Sequence, residues 1–258
     1  MKPVFVTGVG FWTPGFPTFD AWSEDRRDPS ATRPPCAILD ARIARYTSLV
    51  TRMAVEAACQ AGRRAGVELQ DVPTVFGSTY GEIQIAFVQM DMIEEEGLAS
   101  PARFKNSVHN TASGHFSIGT RNGNFTTAIA AGEATFAMCL LEAWTWLETQ
   151  GGSIIVSVAD EVLPDHLPGS ERYDPLGVAL HLEAEASAGN PLCRLAGLRP
   201  GRSLRHEPRI PERLAANPSG AGLAFVDALI NGDTGPVLVE PESDGWSVEL
   251  QAVAVTKP

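Results

Sequence analysis

The side chains of this 258-residue chain that could do chemistry sit in a few short stretches. Glu133 stands in Ala131-Gly132-Glu133-Ala134, after the small, β-branched, apolar run of residues 124–131. That run reads as a buried strand. Beyond it Phe136, Leu140, Leu141, Trp144 and Leu147 recur at helical steps, so a helix is expected to begin at Glu133. Free N–H groups and the dipole of a helix start stabilise an anion, which makes such a turn a good place for a nucleophile. Here it carries a carboxylate instead.

Asp160, Glu161, Asp165 and His166 follow another apolar run. No cysteine or second histidine stands beside them, so a polar loop is favoured over a metal site. Gly8-Val9-Gly10 suggests a dinucleotide fingerprint. Trp12, Thr13 and Pro14 stand where its helix should open and the third glycine is missing, so that reading is set aside. Ser78 directly follows Gly77 in Gly77-Ser78-Thr79-Tyr80-Gly81, which is not the spacing of a nucleophile elbow. His115 reads as a buried, hydrogen-bonded structural histidine.

These groups need elements to hold them. Residues 3–9, 74–79, 124–131, 153–159 and 177–183 read as strands. Residues 48–66, 81–96, 113–120 and 133–150 read as helices, and 15–40 as irregular. The alternation predicts a layered α/β fold with a largely parallel sheet. Residues 185–217 read as a long connection, followed by a short helix at 223–230 and strands at 236–240 and 246–255 joined by a turn at 242–245. Two regions are therefore expected. Residues 1–184 form the main body, and 185–258 form a linker with a small helix and hairpin packed on it.

Hydrophobic residues are 44% and charged residues 20%, a globular composition. Net charge is −11, which argues against nucleic acid or an anionic membrane as partner. An acidic protein partner would need a local basic patch, for which Arg42, Arg45, Arg63 and Arg64 are candidates. Cys36, Cys59, Cys139 and Cys193 have no paired spacing and read as buried free thiols. No signal peptide or membrane span is read, so a cytoplasmic location is the expectation. No cofactor and no metal are expected.

Asn110-Thr-Ala-Ser-Gly-His-Phe-Ser-Ile118 resembles the segment N-x-x-(A/S)-G-H-x-(S/T)-I of β-ketoacyl-acyl-carrier-protein synthases. Val4-Phe-Val-Thr-Gly-Val-Gly-Phe-Trp-Thr-Pro14, Phe76-Gly-Ser-Thr-Tyr-Gly-Glu82 and Ser100-Pro-Ala-Arg-Phe104 resemble further motifs of that family, in the family's order. The resemblance spans roughly residues 3 to 184 and implies a thiolase-like α/β/α fold of one ketosynthase-type half with a reduced C-terminal remnant. Read without a gap, it places the family's catalytic Cys on Glu133. A second alignment, with a four-residue deletion after His115, places it on Ile129. Chain-length-factor subunits of type II polyketide synthases carry Gln in a setting similar to Ala131–Ala134. The two catalytic histidines of a condensing enzyme have no counterpart among His109, His115, His166, His181 and His206.

The chain also resembles the short, chain-length-factor-like proteins of aryl-polyene and xanthomonadin-type pigment clusters. The resemblance implies a non-catalytic subunit or scaffold in polyketide, aryl-polyene or fatty-acid-type biosynthesis. The alternatives are a malonyl-thioester decarboxylase-like enzyme using Glu133, and a module that binds an acyl chain or carrier protein. Asn110, His115 and Glu133 are the candidate ligand-binding residues. The family's dimer pairs the strand before the nucleophile turn across a two-fold axis. That implies a homodimer, or a heterodimer with a catalytic ketosynthase, through Asn124, Phe125, Thr126, Thr127, Ala128 and Ile129.

Overall fold

The computed structural model describes residues 1–165, 167, 173–186, 191–201, 209–240 and 245–253. His166, His206 and most of the expected turn at 242–245 lie outside the described residues. Strand β1 (Val4–Trp12) is followed by α1 (Phe19–Ser23), α2 (Ala41–Tyr46) and the long α3 (Leu49–Ala65). Next come β2 (Thr74–Gly77), α4 (Ile83–Glu96), α5 (Pro101–Phe104) and α6 (Thr111–Thr120). Strand β3 (Thr126–Ile129) leads through a 3-10 turn (Gly132–Ala134) into α7 (Thr135–Gln150). After β4 (Ser153–Asp160), β5 (Leu176–Glu183) and β6 (Cys193–Pro200) come α8 (Glu212–Ala215) and α9 (Gly220–Asn231). The hairpin strands are β7 (Gly235–Glu240) and β8 (Trp246–Gln251).

The strands form one eight-stranded sheet in the order β3-β2-β4-β5-β1-β6-β8-β7. Helices α3 and α6 cover one face, where Val50, Met53, Phe76, Phe116 and Ile155 form one apolar cluster. Helices α7 and α9 cover the other, where Phe136, Leu140, Trp144, Val156, Val178 and Phe225 belong to a larger one. This is a layered α/β/α fold, as expected. The sheet is not largely parallel, however. Among the described strands only β2–β3 and β2–β4 are parallel, and the remaining pairings are antiparallel. A strand covered on both faces reads as an apolar run in either direction, so the pattern did not reveal strand direction.

Local chemistry explains the helix ends. Ser48 Oγ accepts from the Thr51 N–H at the start of α3, and Gly66 closes it at φ +73°. The irregular stretch 15–40 contains α1, which Thr18 Oγ1 caps through the Ala21 N–H. Gly8 and Gly10 let α3 lie against β1. A Cβ on Gly10 would stand 1.8 Å from the Ala57 carbonyl oxygen, and one on Gly8 2.1 Å from that of Ala61. Close helix packing, not a phosphate, is what these glycines serve.

Two expectations need correction. The strand expected over 124–131 is only Thr126–Ile129, and it is half-exposed rather than buried. Among the described residues it lies at the sheet's edge, beside β2. The stretch read as a connection contains β6, which pairs with the start of β1, Val4 facing Leu195. Cys193, Arg194 and Leu195 alternate in and out, but a register shift between Ala196 and Arg199, around Gly197 at φ +65°, breaks the alternation, so the pattern concealed it.

Candidate functional site

Parallel β2, β3 and β4 end side by side, and their C-terminal ends carry the turn 77–82, the turn 130–134 and Asp160. Ligands of α/β sheets bind at such ends. Thr79 Oγ1 donates to the Gly132 carbonyl at 2.9 Å, which ties the first two turns together. Thr135 Oγ1 donates to the same carbonyl at 2.6 Å and accepts from the Ala131 N–H at 3.0 Å.

Glu133 sits in the 3-10 turn, one turn ahead of the α-helix that was expected to start with it. Gly132 at φ +58° makes that turn, and 3-10 turns are common ahead of α-helices. The Glu133 side chain shares its surroundings with two phenols. Burial raises the Tyr80 hydroxyl, with further contributions from Glu133 and Asp160. Burial likewise raises Tyr173, whose hydroxyl is buried without a hydrogen-bond partner, and Asp160, Tyr80 and Glu133 add to the effect.

Asp160 is the hub beneath them. It is buried, and its Oδ1 accepts from Ser78 Oγ at 2.8 Å, the Thr79 N–H at 2.9 Å and the Tyr80 N–H at 3.2 Å. Its Oδ2 accepts from Ser219 Oγ at 2.8 Å. Asn217 donates to the Asp160 and Asp174 carbonyls, at 3.0 and 2.8 Å. Burial pushes Asp160 up to about 6, against the hydrogen bonds that hold its carboxylate form. The next residue, Glu161, is also buried, as is Glu82. The polar-loop reading is therefore wrong for Asp160 and Glu161, which are interior groups packed over α3 and α9.

The remaining expected residues are placed as follows. Ile129, the alternative nucleophile position, is on β3, and its carbonyl accepts the Ser78 N–H. Asn110 is exposed at the start of α6 and makes no side-chain cap. His115 is half-buried, with Nδ1 3.5 Å from Thr47 Oγ1, and burial lowers its pKa. Among the described histidines His109 reaches the turn, where its Nε2 donates to the Ser78 carbonyl at 2.8 Å. Ser78 Oγ is committed to Asp160 and accepts the Gly81 N–H.

All four cysteines are free and buried. Cys139 lies directly behind the turn, where a Cβ on Gly77 would meet its Sγ at 2.5 Å, and burial raises its pKa. It is fully buried in the core cluster behind the turn. Arg42 and Arg45 lie on α2, whereas Arg63 and Arg64 lie at the far end of α3, so the four do not form one patch. Arg64 also pairs with Asp20 at 2.6 Å. Among the described residues no group of three His, Cys, Asp or Glu side chains could hold a metal ion.

Sequence reasoning missed Ser219, Asn217 and Tyr173. The signal for the first two was present: Asn217-Pro-Ser219 precedes the apolar run of α9, a helix-start composition.

A model of the β-ketoacyl synthase N-terminal domain matches residues 19–247. No curated protein matches by sequence. Among solved structures, one similar chain is from a ketosynthase (ApeO) in complex with its chain length factor (ApeC) from Xenorhabdus doucetiae. It has 20% identity and a TM-score of 0.71, covering 97% of this chain and 100% of that one. Another is from the ishigamide ketosynthase/chain length factor, with 14% identity and a TM-score of 0.73, covering 98% of this chain and 100% of that one. A third is from a type II polyketide synthase acyl-carrier protein in complex with its ketosynthase. It has 14% identity and a TM-score of 0.63, with coverage of 77% and 68%. At these identities the likeness establishes the fold.

Proposed function

We propose a role from one premise, that this chain belongs to the β-ketoacyl synthase N-terminal domain family. It is a chain-length-factor-like subunit without condensing chemistry of its own, and it pairs with a catalytic ketosynthase in polyketide, aryl-polyene or fatty-acid-type biosynthesis. The carrying observation is the state of the nucleophile turn: a carboxylate occupies it, and the nearby thiol of Cys139 is buried behind Gly77. Condensation needs an activated nucleophile for acyl transfer. The open edge of β3 supports pairing, because an uncharged, half-exposed edge strand is a template for another chain. No described helix is long and apolar enough to cross a membrane.

Light scattering tests the pairing. Co-expressed with a ketosynthase of its native host, the chain is expected to elute as a one-to-one heterodimer. Thr127→Asp puts a charge on the open edge and should abolish association, while changing the stability of the free chain by about 0.5 kcal/mol or less. A chain that stays monomeric in every mixture overturns the pairing.

Glu133 tests the chemistry. Under this reading Glu133→Gln costs about 0.3–1 kcal/mol, the size of a helix-start charge effect, and wild type does not decarboxylate malonyl thioesters. Wild-type turnover that both Glu133→Gln and Glu133→Leu abolish, with the fold intact, would replace the scaffold with the decarboxylase-like reading. Recovery of acylated carrier protein in place of a ketosynthase would favour the binding module.

A further inference from the structure

Turn 77–82 ends on a carboxyl group that uses only one of its two oxygens. Glu82, the residue before α4, is more than nine-tenths buried. Its Oε1 accepts from Ser48 Oγ at 2.9 Å and from Thr51 Oγ1, which ties the turn to the start of α3. Its Oε2 is buried with no hydrogen-bond partner among the described residues. A buried polar atom in that state is unfavourable until something satisfies it.

Glu82 also lines a cavity of about 20 Å³ between the turn, the start of α3 and the start of α6. A water needs about 10–15 Å³ on this measure, so the cavity admits one. Thr51, Ser78 and His109 make one side of it polar, and Phe76 and Ala112 make the other apolar.

We propose that this cavity is a binding site for a single water, which bridges Glu82 Oε2 to the Thr51 and Ser78 hydroxyls and is a structural part of turn 77–82.

The donors and acceptors around the cavity call for a molecule that can play both parts. Thr51 Oγ1 gives its proton to Glu82 Oε1 and keeps lone pairs to accept with. Ser78 Oγ gives its proton to Asp160 and accepts the Gly81 N–H, which leaves it one lone pair. His109 Nε2 is spent on the Ser78 carbonyl. Neither hydroxyl therefore has a proton for Oε2, and a water supplies it. Burial pushes Glu82 up to about 7, so both of its forms matter near neutral pH. The carboxylate form accepts from the water. In the acid form the proton belongs on Oε2, because Oε1 already accepts from two hydroxyls. Oε2 then donates to the water, and the water donates to the hydroxyls. A divalent cation fits poorly: it takes about six or more oxygen ligands, and these side chains offer one carboxyl oxygen and two hydroxyls.

The water would join the two carboxyl anchors of the turn. Asp160 holds its first half through Ser78, Thr79 and Tyr80, and Glu82 holds its end. Thr79, between them, reaches the Gly132 carbonyl of the turn that carries Glu133.

The site belongs to the isolated chain, so its test needs no partner. A crystal structure of the free chain should show one water within about 3 Å of Glu82 Oε2. A cavity without density overturns the proposal. So does an atom there that rubidium replaces on soaking, because it would be a cation. Relaxation dispersion of water oxygen gives a second readout, in solution. Ala54→Val places methyl groups in the cavity from its buried α3 wall and leaves Glu82 intact. Glu82→Met keeps the side-chain length and removes both oxygens. Each variant should lose dispersion amplitude equal to about one long-lived water. Amplitude equal to wild type in either folded variant overturns the bridge. If neither variant folds, the wild-type crystal structure decides.

Discussion

Asp160→Ala should cost about 3–5 kcal/mol in chemical denaturation, because it leaves several buried donors unpaired at once. Four donors converge on this carboxylate, from Ser78, Thr79, Tyr80 and Ser219. Leaving a buried donor unpaired costs about 1–3 kcal/mol each, partly offset because the carboxylate's own burial is relieved. Asp160→Asn separates the two effects. Its amide oxygen can keep the three bonds on Oδ1, and its NH₂ can donate to Ser219 Oγ, which both donates and accepts. That variant should fall within about 1 kcal/mol of wild type at neutral pH. The pH dependence gives a second readout. The folded value of Asp160 is raised to about 6, so its contribution favours the folded state at low pH and is lost as pH rises through about 6. Asp160→Asn should remove that segment of the profile. An Asp160→Ala loss below about 1 kcal/mol would show that Asp160 is not the hub.

Gly10→Ala should destabilise by about 3 kcal/mol or more, the upper end for overpacking, because the obstacle is backbone. The added Cβ would stand 1.8 Å from the Ala57 carbonyl oxygen in the middle of α3. Relief requires moving α3 off β1, which loosens the cluster of Val50, Met53, Phe76 and Phe116. Gly66→Ala is the comparison: its Cβ would meet nothing within 4 Å, and only the left-handed φ of +73° is strained. A loss of about 1 kcal/mol is expected there. Equal melting temperatures for Gly10→Ala and wild type would mean that α3 does not pack on β1 as described.

Periodicity and end signals made most elements legible. Ser48 and Gly66 bracket α3 as expected, and the steps from Phe136 to Leu147 mark α7. The ordered motifs from Val4 to Ile118 carried the resemblance, and the family model matches residues 19–247. The four cysteines read as buried thiols, which is where they lie. Strand β6 was missed because the irregularity around Gly197 breaks its alternation, and strand direction was misjudged because side-chain pattern does not encode it.

The candidate site divides along the same line. Local sequence marked Glu133 as a carboxylate at a strand-to-helix turn, since turn and helix signals act over a few neighbouring residues. What surrounds that turn was decided by tertiary structure. Thr79, Asp160, Tyr173 and Ser219 are brought together by crossovers of the sheet, from positions as far as 140 residues apart. Whether a carboxyl group is solvated or buried depends on those crossovers too. Asp160, Glu161 and Asp165 look alike in sequence, yet the first two are buried and the third is exposed. Burial is a property of the assembled layers, and it is burial that turns Glu82, Asp160 and Glu161 from surface charges into groups with raised pKa values.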